Sequence, residues 1–270
     1  MVDGADRDRQ AAQHFAESVV EAVFAAWAQH LVERAVLQPG ERVLDVGCGT
    51  GAVARAAAPH VGPTGQVVGI DSGAARIATA RSLPRPEGAP IQWDEGDATH
   101  MPYPDASFDV VLCQQVLHLI PDRPHALREM HRVLRPGGRL GLSVWQTMEH
   151  SPGFLPIANA VERHLGATER GKFGGNFSLG NEDELRRLIV GGGFEDIAIV
   201  QEVKIADFAS REDFVQYQMD VNEARWKLAD DAKQALVADI REGLTPYVDA
   251  GRLRFPRGAH VVAARRSSSS

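Results

Sequence analysis

The sequence lacks the features that mark secreted, membrane-spanning and disulfide-stapled proteins. Its 270 residues include two cysteines, Cys48 and Cys113, and both lie in or beside apolar segments, so no structural disulfide is expected. No apolar run reaches the roughly 18 residues that a membrane span needs. The acidic N-terminus also lacks the basic and apolar regions of a signal peptide. These absences together predict a cytoplasmic protein in a reducing compartment.

An excess of positive charge is missing as well. The formal net charge is −7, which argues against sequence-independent binding to nucleic acid, because such binding needs a basic face. No group of histidines and carboxylates has the spacing of metal ligands, so we predict no metal site. The remaining composition, with 44% hydrophobic and 24% charged residues, is that of an ordinary globular protein.

The most informative stretch is residues 41–51, which read ERVLDVGCGTG. Its apolar and β-branched residues predict a buried strand, and residues 52–58 predict a helix. The glycines at alternating positions between them permit a tight turn and the close approach of a ligand. A helix N-terminus offers free N–H groups and a partial positive charge, which favour an anionic or electron-rich ligand.

Two ligand patterns compete at this turn. Gly47, Gly49 and Ala52 satisfy the dinucleotide pattern G-x-G-x-x-G/A, whereas Gly47, Gly49 and Gly51 satisfy G-x-G-x-G. Asp45, two residues before the first glycine, decides between them. Its carboxylate would repel a pyrophosphate, but it would favour an ammonium or sulfonium group.

Asp71 is a second candidate ligand-binding carboxylate. It ends a predicted buried strand over 66–71 and lies 20 residues after Gly51, the spacing of acidic residues that bind ribose hydroxyls in nucleotide-binding βαβ units. The alternative is that Asp71 caps the following helix, a position for which Ser72 competes. The loop before it favours ribose binding.

Several motifs over residues 41–145 resemble those of class I S-adenosylmethionine (SAM)-dependent methyltransferases, in the small-molecule branch typified by ubiquinone and menaquinone biosynthesis. These motifs are VLDVGCGTG at 43–51, the MPYPDASFD run at 101–109 and VLRPGGRL at 133–140. The resemblance implies SAM as cofactor. The implied cofactor-binding residues are Asp45, Gly47, Cys48, Gly49, Thr50, Gly51, Asp71, Ser72, Asp97, Ala98, Gln114 and His118.

Within that set, the resemblance places Asp97 and Ala98 at the adenine end of the cofactor. A carboxylate there can accept a hydrogen bond from the exocyclic amine, although Asp97 could instead cap the next turn. Gln114, Gln115 and His118 follow the predicted fourth strand, at the sheet edge where open α/β proteins bind ligands.

The alternation of strands and helices through residue 145 predicts an α/β fold with a doubly wound, mostly parallel sheet. The resemblance specifies a Rossmann-like, seven-stranded sheet with helical lid insertions. We therefore expect an N-terminal helical cap over 1–40, a SAM-binding core over 41–145, a lid insertion over 146–181, the rest of the core over 182–266 with a helical insertion at 211–250, and a disordered tail over 267–270.

The segments outside the core are candidates for covering a substrate. Residues 8–37 have the apolar stripe of a helix, and Phe24 and Trp27 in it could act as a lid. Phe173 and Phe177 lie in a predicted glycine-rich loop. The aromatic content of these segments suits an apolar or aromatic substrate, and simple packing of a lid is the equal alternative.

Methyl transfer from a sulfonium needs alignment and exclusion of water, and needs a base only when the acceptor keeps its proton. His118 and His150 are candidate bases, but no catalytic residue can be assigned. The sequence thus predicts an enzyme that methylates a small molecule on oxygen, nitrogen or carbon, in specialised metabolism or quinone biosynthesis. A SAM-binding cyclase or pericyclase of the same fold is the alternative, and a homodimer is left open.

Overall fold

The computed structural model describes residues 23–226 and 228–267, with the backbone alone at 223 and 224. Expectations for residues 1–22 and 268–270 therefore lie outside the described residues. They include the first half of the N-terminal helix predicted over 8–37 and most of the tail predicted over 267–270. The described part of that helix, α1 (Ala25–Ala35), buries Trp27 and Leu31.

Helices and strands alternate along the core. The further helices are α2 (Ala52–Val61), α3 (Ala74–Ser82), α4 (Arg123–Val133), α5 (Leu155–Leu165), α6 (Ala167–Gly174), α7 (Glu182–Gly191), α8 (Arg211–Trp226) and α9 (Asp230–Leu244). The strands are β1 (Arg42–Val46), β2 (Gln66–Asp71), β3 (Ile91–Glu95), β4 (Phe108–Gln114), β5 (Leu134–Trp145), β6 (Phe194–Phe208), β7 (Val248–Asp249) and β8 (Arg252–Arg266). None of the helices in the described part of the chain has the length and apolar character that crossing a bilayer requires.

The strands form one sheet in the order β3-β2-β1-β4-β5-β8-β6. The pairs β3–β2, β2–β1, β1–β4 and β4–β5 are parallel, so the predicted doubly wound, Rossmann-like α/β fold is confirmed. The sheet has eight strands where seven were expected. The additional strand is the two-residue β7, which lies off this path and pairs with β8.

The strand registers bring the ends of β1, β2 and β4 to one edge of the sheet. Asp45 of β1 lies opposite Gly69 of β2 and Leu112 of β4. Asp71 lies opposite Glu95, the last residue of β3. Since the strands are parallel, the residues that follow each of them gather at the same carboxyl edge, where ligands of open α/β sheets bind.

Some element bounds differ from expectation because of tertiary pairing. β3 ends at Glu95, so Asp97 lies beyond it in an isolated bridge with His100. β5 begins at Leu134, before the Arg135-Pro136-Gly137-Gly138 segment, because Leu134 pairs with Phe108 of β4; the register then shifts before Arg139 pairs with Val110. Phe173 was expected in a glycine-rich loop, but it lies inside helix α6.

The chain divides into two compact units. The first contains residues 23–144, 182–201 and 260–267, and the second contains Trp145–Asn181 and the described residues of 202–259. Both segments expected to exceed the minimal core, 146–181 and 211–250, belong to the second unit. Their role as a lid remains a prediction.

A cluster of aromatic rings forms the core of the second unit. The Phe154 ring lies 5.5 Å from the rings of Phe177 and Phe214 and 5.8 Å from that of Phe255, measured between centroids. Phe173 is 6.5 Å from Phe154. Edge-on and tilted contacts of this kind are the favoured geometries of aromatic pairs.

An ion pair in the first unit joins the end of α1, the start of β1 and β5. The guanidinium of Arg139 donates to both oxygens of Glu41 at 2.9 and 2.8 Å and to the carbonyl of Ala35 at 3.0 Å. The same carboxylate accepts from the Gln38 backbone N–H at 2.8 Å. Glu41 is buried, so its charge depends on these donors.

We expect Glu41→Gln to lower the free energy of unfolding by about 1–3 kcal/mol, because it leaves the Arg139 guanidinium without its carboxylate. Urea denaturation measures the loss. Glu182→Gln is the matched control, since it breaks the exposed pair of Glu182 with Arg186 at 3.3 Å. That change should cost less than about 1 kcal/mol. Equal losses in the two variants would contradict a structural role for the Glu41–Arg139 pair.

Candidate cofactor site

The glycine turn between β1 and α2 is held against the end of β2. The backbone N–H groups of Gly47 and Cys48 donate to the carbonyl of Ile70 at 2.8 and 3.0 Å. Gly51 has φ +94°, and a Cβ there would overlap the Trp93 ring. This position therefore requires glycine for both conformation and packing.

Gly49 differs from its neighbours in facing open space. Its φ is +56°, and within the described residues no atom lies within 4 Å of the place where its Cβ would be. Its N–H donates to the Asp71 carboxylate at 2.9 Å. The middle of the turn thus offers room for a ligand beside an acidic side chain.

Asp45 is a buried carboxylate that holds the beginning of α2. Its Oδ2 accepts from the backbone N–H of Ala54 at 3.0 Å, in the first turn of the helix, where N–H groups have no intrahelical partner. The pKa of Asp45 is raised to about 7, mainly because the carboxyl is buried; the Ala54 N–H lowers it, and the nearby Asp71 carboxylate adds a smaller increase. The site therefore has a carboxylate whose ionised form a cationic ligand would stabilise.

Asp71 accepts hydrogen bonds from three parts of the chain. Oδ2 accepts from Gly49 N–H, and Oδ1 accepts from Gly73 N–H at 2.8 Å. Oδ1 also faces Arg76 of α3, with Nε at 2.9 Å and Nη2 at 2.6 Å. The side chain is 7% exposed. Asp71 thus orders the loop and the start of α3, and both of its oxygens face the same edge as the glycine turn.

The ends of β4 and β5 carry buried polar atoms without protein partners. Gln114 donates from Nε2 to the Phe24 carbonyl at 3.2 Å, but its Oε1 has no partner among the described residues. In Gln115 neither amide atom has one, and the same is true of the Ser143 hydroxyl. Gln115 also has φ +55°, a conformation that costs energy in a residue with a side chain. Such orphaned, strained groups are typical of a binding site.

The other predicted site residues are distributed around this edge. Cys48 and Thr50 are buried in the turn, whereas Ser72 is exposed. Burial, with help from Asp45 and Asp71, raises the pKa of the Cys48 thiol well above its usual range, so it stays protonated. Ala98 is half-buried.

Asp97 is exposed and caps the turn that follows it. Its Oδ1 accepts from the backbone N–H and the hydroxyl of Thr99, both at 2.8 Å, and these donors lower the pKa of Asp97. This is the arrangement that the alternative interpretation predicted. Contact with an adenine remains a prediction for Asp97 and Ala98.

His118 lies buried in a short helical turn after β4. The turn spans Leu117–Leu119, and the carbonyl of His118 accepts from the Arg123 guanidinium at 3.0 Å. His150, the second candidate base, lies in another short turn in the second unit. A catalytic role for either histidine remains a prediction.

Two residues of this edge, Arg76 and Ser143, were not assigned from the sequence. Gln115 was expected at the edge, but not among the cofactor-binding residues. Arg76 and Ser143 gave no sequence signal, because their importance depends on which carboxylate or strand end they meet in space. Within the described residues no group of three or more histidines, cysteines and carboxylates could hold a metal ion.

The Asp45 carboxyl should make the stability of the ligand-free protein depend on pH. Its folded pKa of about 7 lies above the ordinary value of 3.8, so folding favours the protonated acid, and this stabilisation is lost progressively as pH rises from 3.8 to about 7. Asp45→Asn keeps an acceptor for Ala54 without the charge. We expect the variant to be more stable than the wild type by roughly 1–4 kcal/mol near pH 8, with a clearly smaller advantage near pH 5.

Urea denaturation at the two pH values measures this difference. Asp122→Asn is a suitable control, because Asp122 caps α4 at the surface and the asparagine retains the capping oxygen. An Asp45→Asn advantage that does not grow with pH would show that the buried carboxyl is not titrating near neutrality.

The part of the chain that forms this edge is also the part that matches a known protein family. Residues 44–142 match the family described as a methyltransferase domain. The chain is 31% identical over 185 residues to the ubiquinone/menaquinone biosynthesis C-methyltransferase UbiE of Ectopseudomonas mendocina, covering 63% of this chain and 72% of that protein. It is 38% identical over 118 residues to the 2-phytyl-1,4-naphtoquinone methyltransferase of Synechococcus elongatus, covering 43% of this chain and 51% of that protein.

The chain spans about half the length of the first curated relatives it matches. Among solved structures, the cyclase SpnF is similar with a TM-score of 0.53 and 25% identity, over 90% of this chain and 80% of that one. The family match covers the glycine turn and the strands that carry Asp45 and Asp71, and the chain covers 72% of one methyltransferase relative. The chain therefore belongs to the methyltransferase-domain family, whose members include methyltransferases of quinone biosynthesis.

Proposed function

We propose that this chain is a SAM-dependent methyltransferase that methylates a small molecule on oxygen, nitrogen or carbon, in quinone biosynthesis or specialised metabolism. The observation that carries the proposal is the pair of carboxylates, Asp45 and Asp71, beside the open face of Gly49. Two carboxylates favour a ligand with a sulfonium and an ammonium group and disfavour a pyrophosphate. The family and its quinone-biosynthesis members support the same class of reaction.

The described residues fit SAM along the carboxyl edge. Asp45 and the turn over 47–51 suit the charged amino-acid end of the cofactor. The Asp71 carboxylate suits the ribose hydroxyls, and Asp97 with Ala98 suits the adenine. The partnerless amide atoms of Gln114 and Gln115 suit polar groups of a ligand that lies across β4.

SAM supplies a methyl group already activated by its positive sulfur. The residues of this chain then have to bind the cofactor, orient it for in-line displacement and exclude water. Asp45 contributes electrostatically, because its ionised form stabilises a neighbouring cation. Cys48 contributes no nucleophile, since its thiol stays protonated. A base is required only for an acceptor that holds its proton at neutral pH, and His118 is the candidate in the first unit.

Arg76 is one of three donors to the Asp71 carboxylate. A ribose that binds this carboxylate would have to displace the Arg76 guanidinium or bind beside it. The Gly49 and Gly73 N–H groups belong to turns that fix the backbone, whereas the Arg76 side chain is 47% exposed and can swing into water. The Asp71 end of this pair is buried, so the carboxylate needs a replacement donor when Arg76 leaves, and a ribose hydroxyl supplies one. Releasing Arg76 therefore disturbs the fold less than releasing either backbone donor.

We expect Asp71→Asn to weaken SAM binding by about 10- to 100-fold, because it removes a charged acceptor of hydroxyl hydrogen bonds. Arg76→Gln should leave SAM affinity unchanged or increase it, since it frees Oδ1 of Asp71. Titration calorimetry with SAM and with S-adenosylhomocysteine measures both.

Arg81→Gln is the matched control for the arginine variant. Arg81 lies in the same helix, and its guanidinium donates to the Trp93 carbonyl at 2.6 Å and does not pair with Asp71. Unchanged SAM affinity in Asp71→Asn would mean that Asp71 serves only to order the loop and α3. A loss of affinity in Arg76→Gln would mean that Arg76 stays in place and supports the binding carboxylate.

The proposed activity is tested by incubating the protein with SAM and a panel of small molecules that includes demethylated quinones. We expect release of S-adenosylhomocysteine together with a product heavier by one methylene unit, and Asp71→Asn should reduce both. Conversion of a substrate without a mass gain, in a reaction that needs bound SAM, would identify a cyclase of the kind that SpnF represents. Binding of a nicotinamide dinucleotide without binding of SAM would overturn the assignment of the cofactor.

We further infer a cytoplasmic location, which the two buried free cysteines support because such thiols persist in reducing compartments. A homodimer remains a prediction, and sedimentation of the purified chain would decide it.

A further inference from the structure

Arg257 is a buried cation in the second unit. It lies on β8, and its side chain is 7% exposed. The guanidinium carbon lies 3.5 Å from the ring centroid of Trp145 and 4.6 Å from that of Phe154. The cation is thus packed on two aromatic rings, which stabilise it through their π faces but do not neutralise its charge.

Within the described residues, no carboxylate forms an ion pair with Arg257, and its Nε has no hydrogen-bond partner. Two other arginines of the same strand behave differently, since Arg252 and Arg254 reach Asp207 at 2.7 and 3.5 Å. Burial lowers the pKa of Arg257 to about 9, and the neighbouring Tyr217 only partly opposes this effect. An unpaired buried charge lowers stability, so its presence calls for a further partner.

The chain next to Arg257 carries more buried polar atoms without partners. The backbone N–H of Gln146 donates to the Gly258 carbonyl at 3.0 Å, and a Cβ at Gly258 would overlap the Gln146 amide oxygen. That oxygen is buried and has no partner among the described residues. The same holds for the hydroxyl of Ser151, whose carbonyl accepts from the Phe154 N–H at 2.9 Å.

One of the two rings that contact the guanidinium belongs to the aromatic cluster of the second unit. Phe154, which carries the guanidinium on one side, contacts the rings of Phe177, Phe214 and Phe255. A ligand that reaches Arg257 must therefore place an anionic group among aromatic side chains. The chemistry suits a molecule with a charged end and an apolar or aromatic body.

We propose that Arg257 is the anion-recognition residue of a ligand site in the second unit, and that the site takes an organic carboxylate with an aromatic or apolar body. A guanidinium stacked on Trp145 presents its edge N–H groups in a plane, and a planar carboxylate matches them with two parallel hydrogen bonds. The Ser151 hydroxyl can donate a further one. Assigning this carboxylate to the methyl acceptor rests on the proposed function, whereas the anion site itself rests on the second unit alone.

The probe pair is 2-naphthoate and its neutral isostere 2-naphthamide, which share shape and apolar area. Calorimetry should show naphthoate binding to the wild-type protein at least tenfold more tightly than the amide. Arg257→Met, which keeps the length of the side chain without its charge, should bind the two probes equally. Arg254→Met, on the same strand, should keep the wild-type preference for the acid.

Thermal unfolding shows whether an Arg257 variant binds the probe less because it has lost anion recognition or because its packing is damaged. We expect Arg257→Met to be as stable as the wild type or more so, because it removes a buried unpaired charge. If that variant fails to fold, Arg257→Lys serves instead, and it should lose most of the acid preference because an ammonium lacks the planar fork. Equal binding of acid and amide to the wild type, absence of naphthoate binding, or an unchanged acid preference in the Arg257 variants would overturn the proposal.

The binding test needs neither SAM nor turnover, so it can fail or succeed independently of the methyltransferase assignment.

Discussion

The hydrogen bonds of the Asp71 carboxylate are the interaction on which the candidate cofactor site depends. One oxygen accepts from the Gly49 N–H, and the other accepts from the Gly73 N–H and from Arg76. One side chain therefore fixes the glycine turn after β1 and the start of α3 after β2. Since the ends of parallel strands share an edge, this single group brings two loops to the place where a ligand binds.

The same edge concentrates negative charge in a buried setting. Asp45 is 1% exposed and lies close enough to Asp71 for that carboxylate to oppose the ionisation of Asp45. The Ala54 N–H at the helix start offsets part of this cost. The rest of the cost of ionising Asp45 lowers stability, and a cationic ligand can offset it. A turn that binds a pyrophosphate would gain nothing from a carboxylate at this position.

The second unit carries the opposite charge in an equally buried setting. Arg257 stacks on Trp145 and Phe154, and Gln146 and Ser151, which lie between these two residues in sequence, carry buried polar atoms that have no partner among the described residues. The proposed ligand of the first unit is thus a cation, and that of the second is an anion. Proteins retain buried charges of this kind where binding requires them, because replacement by an apolar side chain would often increase stability.

Much of the first unit was predictable from local sequence. The apolar runs before Asp45 and Asp71 specify buried parallel strands, and the glycines at 47, 49 and 51 specify the turn between β1 and α2. The bounds of β2 and α3 agree with expectation because a turn or a proline-rich loop ends each element. Phe173 was placed wrongly in a loop, because glycines at both of its sides outweighed the packing that keeps α6 helical.

The sequence by itself determined the alternation of strands and helices, the glycine turn and the two acidic strand ends, since each depends on neighbours within a few residues. Only the tertiary structure decided that Arg76 pairs with Asp71 and that Gln115 has a strained backbone beside Ser143. It also decided that Arg257 stacks on Trp145, about 110 residues earlier in the chain. Arg76 lies only five residues after Asp71, but the other two contacts join elements that are far apart in sequence. Their geometry follows from the order and register of the strands, which local periodicity does not encode.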